Sequence, residues 1–96
     1  GKLVNISALN TSWAWAAGGM VSTAADVARF GQAVFTGELL SMSSFQEMFT
    51  FVPSIRPQIQ QGLGVYRIGS PNGELVGMDG RGAGYVWSVM RSHRRA

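Results

Sequence analysis

Cysteine is absent from this 96-residue chain. That excludes disulfides and thiolate chemistry but leaves the compartment open. No window approaches the roughly 18 consecutive apolar residues of a membrane span. The first residues lack a charged segment followed by an apolar one, so no signal peptide is expected in the sequence given. Histidine and lysine each occur once, as His93 and Lys2. A single imidazole with Asp79 and Glu74 makes a poor ligand set, so no metal and no cofactor are expected. A Walker loop needs a lysine after its glycines, and no lysine follows Lys2. No internal repeat and no low-complexity tract is present.

Charge is sparse too. Lys2, Arg29, Arg56, Arg67 and Arg81 balance Asp26, Glu38, Glu47, Glu74 and Asp79, so the net +3 comes from Arg91, Arg94 and Arg95 alone. A basic tail over 91–96 is a poor match to the basic folded face that nucleic-acid binding requires. The expected organisation is one domain over residues 1–90, followed by that tail. Apolar residues make up 46% of the chain, enough for a core of modest size.

The first 21 residues lack a clear period and read as loop with a short extended piece, with Trp13 and Trp15 more often core than ligand groove at such positions. A helix is expected over "STAADVARFGQAVFTG". Thr23 and Asp26 have capping-box spacing, with the acid near the positive end of the helix dipole. Val27, Phe30, Gly31 and Val34 recur at i, i+3, i+4 and i+7, forming one buried stripe, and Gly37 supplies the stop. A second helix is expected from Ser41, with Leu40 and Phe45 as a hydrophobic staple and Phe45, Met48 and Phe49 on its apolar side. Prolines and glutamines from Phe51 to Gln61 indicate a loop. Then come two strands, one with Leu63, Val65, Tyr66 and Ile68 and one with Leu75 and Val76, joined through Pro71-Asn72-Gly73. A third strand runs from Tyr85 to Met90. Two helices followed by a three-stranded antiparallel sheet define an α+β layout.

Between the last two strands lies "GMDGRGAG", with four glycines in eight positions. It could be a phosphate cradle, a tight hairpin or the wall of an acyl-transfer site. A dinucleotide fingerprint starting at Gly80 would need its third glycine at Tyr85 and a helix afterwards. Neither is present. Ser88 and Ser92 lie near His93, but no third group is in place to orient the histidine as a base. On the residues alone the plain hairpin is the expected reading.

The order of three stretches resembles one family. "AAGGMVSTAADVARF", "QGLGVYRIG" and "GMDGRGAGYVWSV" are similar, in that order, to segments of the serine β-lactamase-like family, which includes class C β-lactamases, D-alanyl-D-alanine carboxypeptidases and related esterases. The resemblance covers most of residues 16–90. It implies a partial β-lactamase/transpeptidase-like fold, with Met78-Asp79-Gly80 at the family's third active-site motif. Gly80 would let the strand edge lie against substrate, and Arg81 would offer its backbone N–H to an oxyanion hole. Asp79 would contact substrate or shape the turn.

Met78 departs from the family, which carries Lys or His there to supply a charge or a proton relay; a thioether supplies neither. The family's Ser-x-x-Lys nucleophile is missing as well. The resemblance thus implies a C-terminal fragment of a serine hydrolase, inert alone, whose intact parent acts on esters, β-lactams or D-amino-acid peptides. The alternative is a non-catalytic binding module of the same family. Members of the family are typically periplasmic or secreted.

Overall fold

The computed structural model describes residues 1–82 and 84–94. It is α+β. A 3-10 turn (Ser12–Ala14) and three helices, α1 (Trp15–Gly18), α2 (Ala24–Phe35) and α3 (Met42–Met48), precede five strands. These are β1 (Val52–Pro53), β2 (Ile59–Gln61), β3 (Tyr66–Ser70), β4 (Gly73–Gly82) and β5 (Tyr85–Arg94). They form one antiparallel meander in the order β1-β2-β3-β4-β5.

Local chemistry fixes the two longer helices. The Thr23 hydroxyl accepts the Asp26 N–H at 3.2 Å, satisfying one of the free donors at the start of α2. At its end Gly37 adopts φ 79°, a left-handed conformation that glycine enters without a Cβ penalty. The Glu38 N–H then donates to the Ala33 carbonyl and the Gly37 N–H to the Val34 carbonyl, which is a Schellman closure. Ser41 caps α3 by accepting the Ser44 N–H at 3.3 Å. Phe45 lies against Gly37, so the start of α3 is packed onto the end of α2.

The core is small. Val34, Phe35, Val65 and Met78 are buried, with Met48, Phe49, Phe51, Val76 and Val89 packed around them. Phe49 links the layers, its ring centroid 6.3 Å from that of Phe35, 4.6 Å from Phe45 and 6.2 Å from Phe51. Helix α2 crosses the outer part of the sheet, where Gly31 abuts Val89. The Arg91 guanidinium donates to the Phe35 carbonyl at 2.9 Å, placing a cation at the negative end of α2.

Several expectations need correction. The sheet has five strands rather than three, because β1 and β2 occupy the Phe51–Gln61 stretch expected to be loop. The strand expected to include Leu63 begins at Tyr66, since the Gly62 N–H bonds to the Val65 carbonyl in a turn just before it. Most of the glycine cluster lies within β4, held by pairing with β5 as far as Gly82. Residues Arg91–Arg94 extend β5 opposite Val76, Leu75, Glu74 and Gly73, so they continue the folded body. Arg95 and Ala96 lie outside the described residues.

The N-terminal segment holds short helical turns and no strand, and Trp13 and Trp15 are exposed, not core. On α2, Phe30 is also exposed and Phe35 is buried in its stead. The buried side of α2 is therefore rotated toward Gly31, Val34 and Phe35.

Candidate functional site

The third-motif residues lie along the distal half of β4. Side chains alternate between faces of a strand, and residues directly opposite share a face. Val76, Met78 and Gly80, with Arg91, Val89 and Trp87 across from them, thus face α2. Gly77, Asp79 and Arg81, with Met90, Ser88 and Val86, face the other way.

The four residues meet different surroundings. Met78 is buried in the core cluster with Phe35 and Val65. An apolar, flexible thioether suits that position, whereas an ammonium or imidazolium would be desolvated there. Gly80 lies under the indole of its cross-strand neighbour Trp87, whose Nε1 occupies the place a Cβ would take. Cross-strand packing therefore favours a glycine at this position unless the Trp87 ring moves. Asp79 and Arg81 are exposed.

The main-chain donors follow from register. In a hairpin closed by two residues, the flanking pair exchanges both backbone hydrogen bonds, and bonded and non-bonded pairs alternate from there. Gly82–Tyr85 and Ser70–Gly73 are such flanking pairs. Counting from either one gives the same result. The N–H groups of Met78, Gly80 and Gly82 turn toward β5, and those of Gly73, Leu75 and Gly77 turn toward β3. The Asp79 and Arg81 N–H groups also turn to the β3 side, but β3 pairs no farther than Gly77. They therefore stand on a free edge, with no hydrogen-bond partner among the described residues.

The structure also gathers residues that the sequence reading did not connect. Ser88 is opposite Asp79, and Tyr66, opposite Gly77, is one step along the same face. Burial raises the Tyr66 pKa above its ordinary value, and the nearby Asp79 carboxylate raises it further. The two-residue alternation would have revealed this grouping had the hairpin register been known. His93 is opposite Glu74, at the far end of β4 from Gly80. Among the described residues Ser88 has no hydrogen bond to a base, and no cluster of acidic or histidine side chains is placed to hold a metal ion.

Two open grooves are present. One, of about 380 Å³, lies between α2 and β5, and the other lies beside α3 and the β1–β2 edge. Neither is lined by Met78, Asp79, Gly80 or Arg81. Among the described residues, the free edge at Asp79–Arg81 is thus a rim without a facing wall. No described helix is long and apolar enough to cross a membrane. Comparison with protein-family models, with curated proteins and with solved structures finds no match to this chain.

Proposed function

We propose that the chain is part of a serine hydrolase of the β-lactamase-like type, a portion that supplies one wall of an acyl-transfer site. The reading rests on the resemblance of its three stretches and is carried by one observation: the Arg81 N–H stands unpaired on a sheet edge, directly after Gly80. Such a donor, held rigidly by a strand, is suited to the oxygen that becomes negative in acyl transfer. One oxyanion donor of this kind contributes about 2.7–4 kcal/mol to lowering the barrier. The neighbouring Asp79 N–H could bind an extended substrate by strand addition along the same edge.

The nucleophile and its base, with the opposite wall, would come from a Ser-x-x-Lys segment outside these residues. Substrates of the intact enzyme would be esters, β-lactams or D-amino-acid peptides. The site would lie in a periplasmic or secreted protein and would need no cofactor.

The chain alone is expected to be inert. Nitrocefin and p-nitrophenyl esters should give no burst, and intact-mass spectrometry should find no acyl adduct. Stoichiometric acylation of Ser88 would refute the reading, because the reaction would then belong to a serine within this sheet.

A second reading, a non-catalytic binding module of the same type, is favoured by the burial of Met78 in the core. It predicts saturable shifts of the Asp79–Arg81 amide resonances on adding benzylpenicillin or a D-alanyl-D-alanine dipeptide, with no turnover. An in-frame Ser-x-x-Lys upstream would favour the enzyme, and its absence the binding module.

A further inference from the structure

The longest open edge of the sheet belongs to β5. This strand spans ten residues and pairs on one side with β4 through ten successive residue pairs, without a bulge. On its other side it has no neighbour among the described residues. By the same register, the N–H groups of Val86, Ser88, Met90 and Ser92 point outward. Natural sheets blunt such an edge with proline, bulges, short length or charged side chains. The opposite edge is protected in this way: β1 has two residues, one of them Pro53. β5 is long and has no proline or bulge, its charged residues lie only in its second half, and it exposes Tyr85 (80%), Val86 (73%), Trp87 (42%) and Met90 (43%).

We propose that two copies of the chain pair through β5, antiparallel about a two-fold axis at Val89, joining two five-stranded sheets into one of ten strands. Charge placement favours the antiparallel direction, and the length of the strand favours an axis near its middle. The Arg91 guanidinium lies in the second half of β5. Parallel pairing would stack it on its own copy, which is destabilising. Antiparallel pairing about Val89 sets Arg91 opposite Trp87 of the second copy, a cation beside an aromatic ring, with His93 opposite Tyr85 on the same face. Moving the axis to Arg91 would oppose Arg91 to itself, and moving it to Trp87 would leave most of the second half unpaired. With the axis at Val89, residues 85–93 of both copies pair throughout, and the outward N–H groups of Ser88 and Met90 meet across the axis.

A stable interface needs about 800 Å² from each partner, which a ten-residue strand edge with its exposed Tyr85, Val86, Trp87 and Met90 has the side chains to help supply. The groove between α2 and β5, lined by Gln32, Phe35, Val89 and Met90 with no β4 residue, extends the apolar surface on the outer side. Because β1 is blocked, the pairing closes at two copies. The inference does not rest on the proposed function.

Sedimentation equilibrium of the full chain should give a reversible dimer. Ser88→Pro removes one outward N–H and leaves the β4–β5 bonds in place, so it should yield a monomer with an unchanged circular-dichroism spectrum. The chain has no cysteine, so Val89→Cys introduces one thiol per copy. At a non-hydrogen-bonded pair the two Cα atoms lie about 4.5 Å apart, within disulfide range. This variant should oxidise rapidly to a covalent dimer, while Trp87→Cys, displaced from its own copy along the strand, should not. A wild-type monomer at every accessible concentration, or open-ended growth, would overturn the proposal. So would a Ser88→Pro dimer, or equal cross-linking of the two cysteine variants. Should Ser88→Pro fail to fold, the cysteine pair decides.

Discussion

Replacing Gly31 with alanine should destabilise this protein, against the usual rule for an interior helix glycine. On α2 that rule predicts a gain of about 1 kcal/mol, because alanine is the better helix former. Packing opposes it. A Cβ at residue 31 would stand 2.5 Å from one γ-methyl of Val89 and 3.2 Å from the other, well inside the roughly 3.5–4.0 Å of favourable carbon contact. A β-branched side chain cannot move one methyl away without turning the other inward. Overpacking of this kind costs about 1–3 kcal/mol. The expected net loss is therefore about 1 kcal/mol, or about 4–8 °C in Tm for a domain of this size. Urea unfolding followed by tryptophan fluorescence measures it. In a Val89→Ala background the clash is gone, and the same substitution should stabilise by about 0.5–1 kcal/mol. The sign reversal is the diagnostic. Equal stabilisation by Gly31→Ala in both backgrounds would refute the close approach of α2 to β5.

Met78→Lys, which restores a residue found at this slot in the resembled family, should destabilise by about 2 kcal/mol or more, through lost packing and a buried ammonium; a change below about 0.5 kcal/mol in chemical unfolding would mean that residue 78 does not face the core. Tyr66 should ionise above the ordinary tyrosine range, first through burial and second through Asp79. Its folded pKa is raised, so its contribution to stability is present below the unfolded value of about 10 and is lost as pH rises through the folded value. Phenolate absorbance in a Tyr85→Phe background isolates the Tyr66 titration, and adding Asp79→Asn should lower its midpoint. Arg91→Ala removes the charged donor to the Phe35 carbonyl and should cost about 1–2 kcal/mol in thermal unfolding.

Helix boundaries were the most legible feature of the sequence, because their determinants are local. Thr23, Ser41 and Gly37 act within four residues of their own positions, and each performs the role its residue type suggested. The buried side of α2 was less legible. Phe30 fits the apolar period, but which neighbours cover it is a tertiary matter, and the sheet meets Phe35 instead. β1 and β2 escaped notice because Pro53 and the Gln60-Gln61 pair are poor strand signals. These strands exist through pairing: the Arg67 guanidinium of β3 bonds Gln60 across the ladder and lies 4.6 Å from the Phe51 ring centroid.

The glycine cluster shows the same limit more sharply. Four glycines suggest a turn when read locally, yet pairing with β5 holds Gly77, Gly80 and Gly82 extended, and Trp87 fills the space above Gly80. The sequence placed the four candidate site residues between two strands, whereas all four lie within β4. It could not tell that Met78 turns into the core while the Asp79 and Arg81 amides turn outward. That division depends on where β3 stops pairing, which is set by the turn from Gly62 to Val65.

Residue-resolved amide hydrogen exchange addresses the free edge of β4 most directly. Met78, Gly80 and Gly82 should be protected by β5, and Asp79 and Arg81 between them should exchange at close to the open-chain rate. An Arg81 amide protected as strongly as that of Gly80 would contradict the unpaired donor on which the functional reading depends.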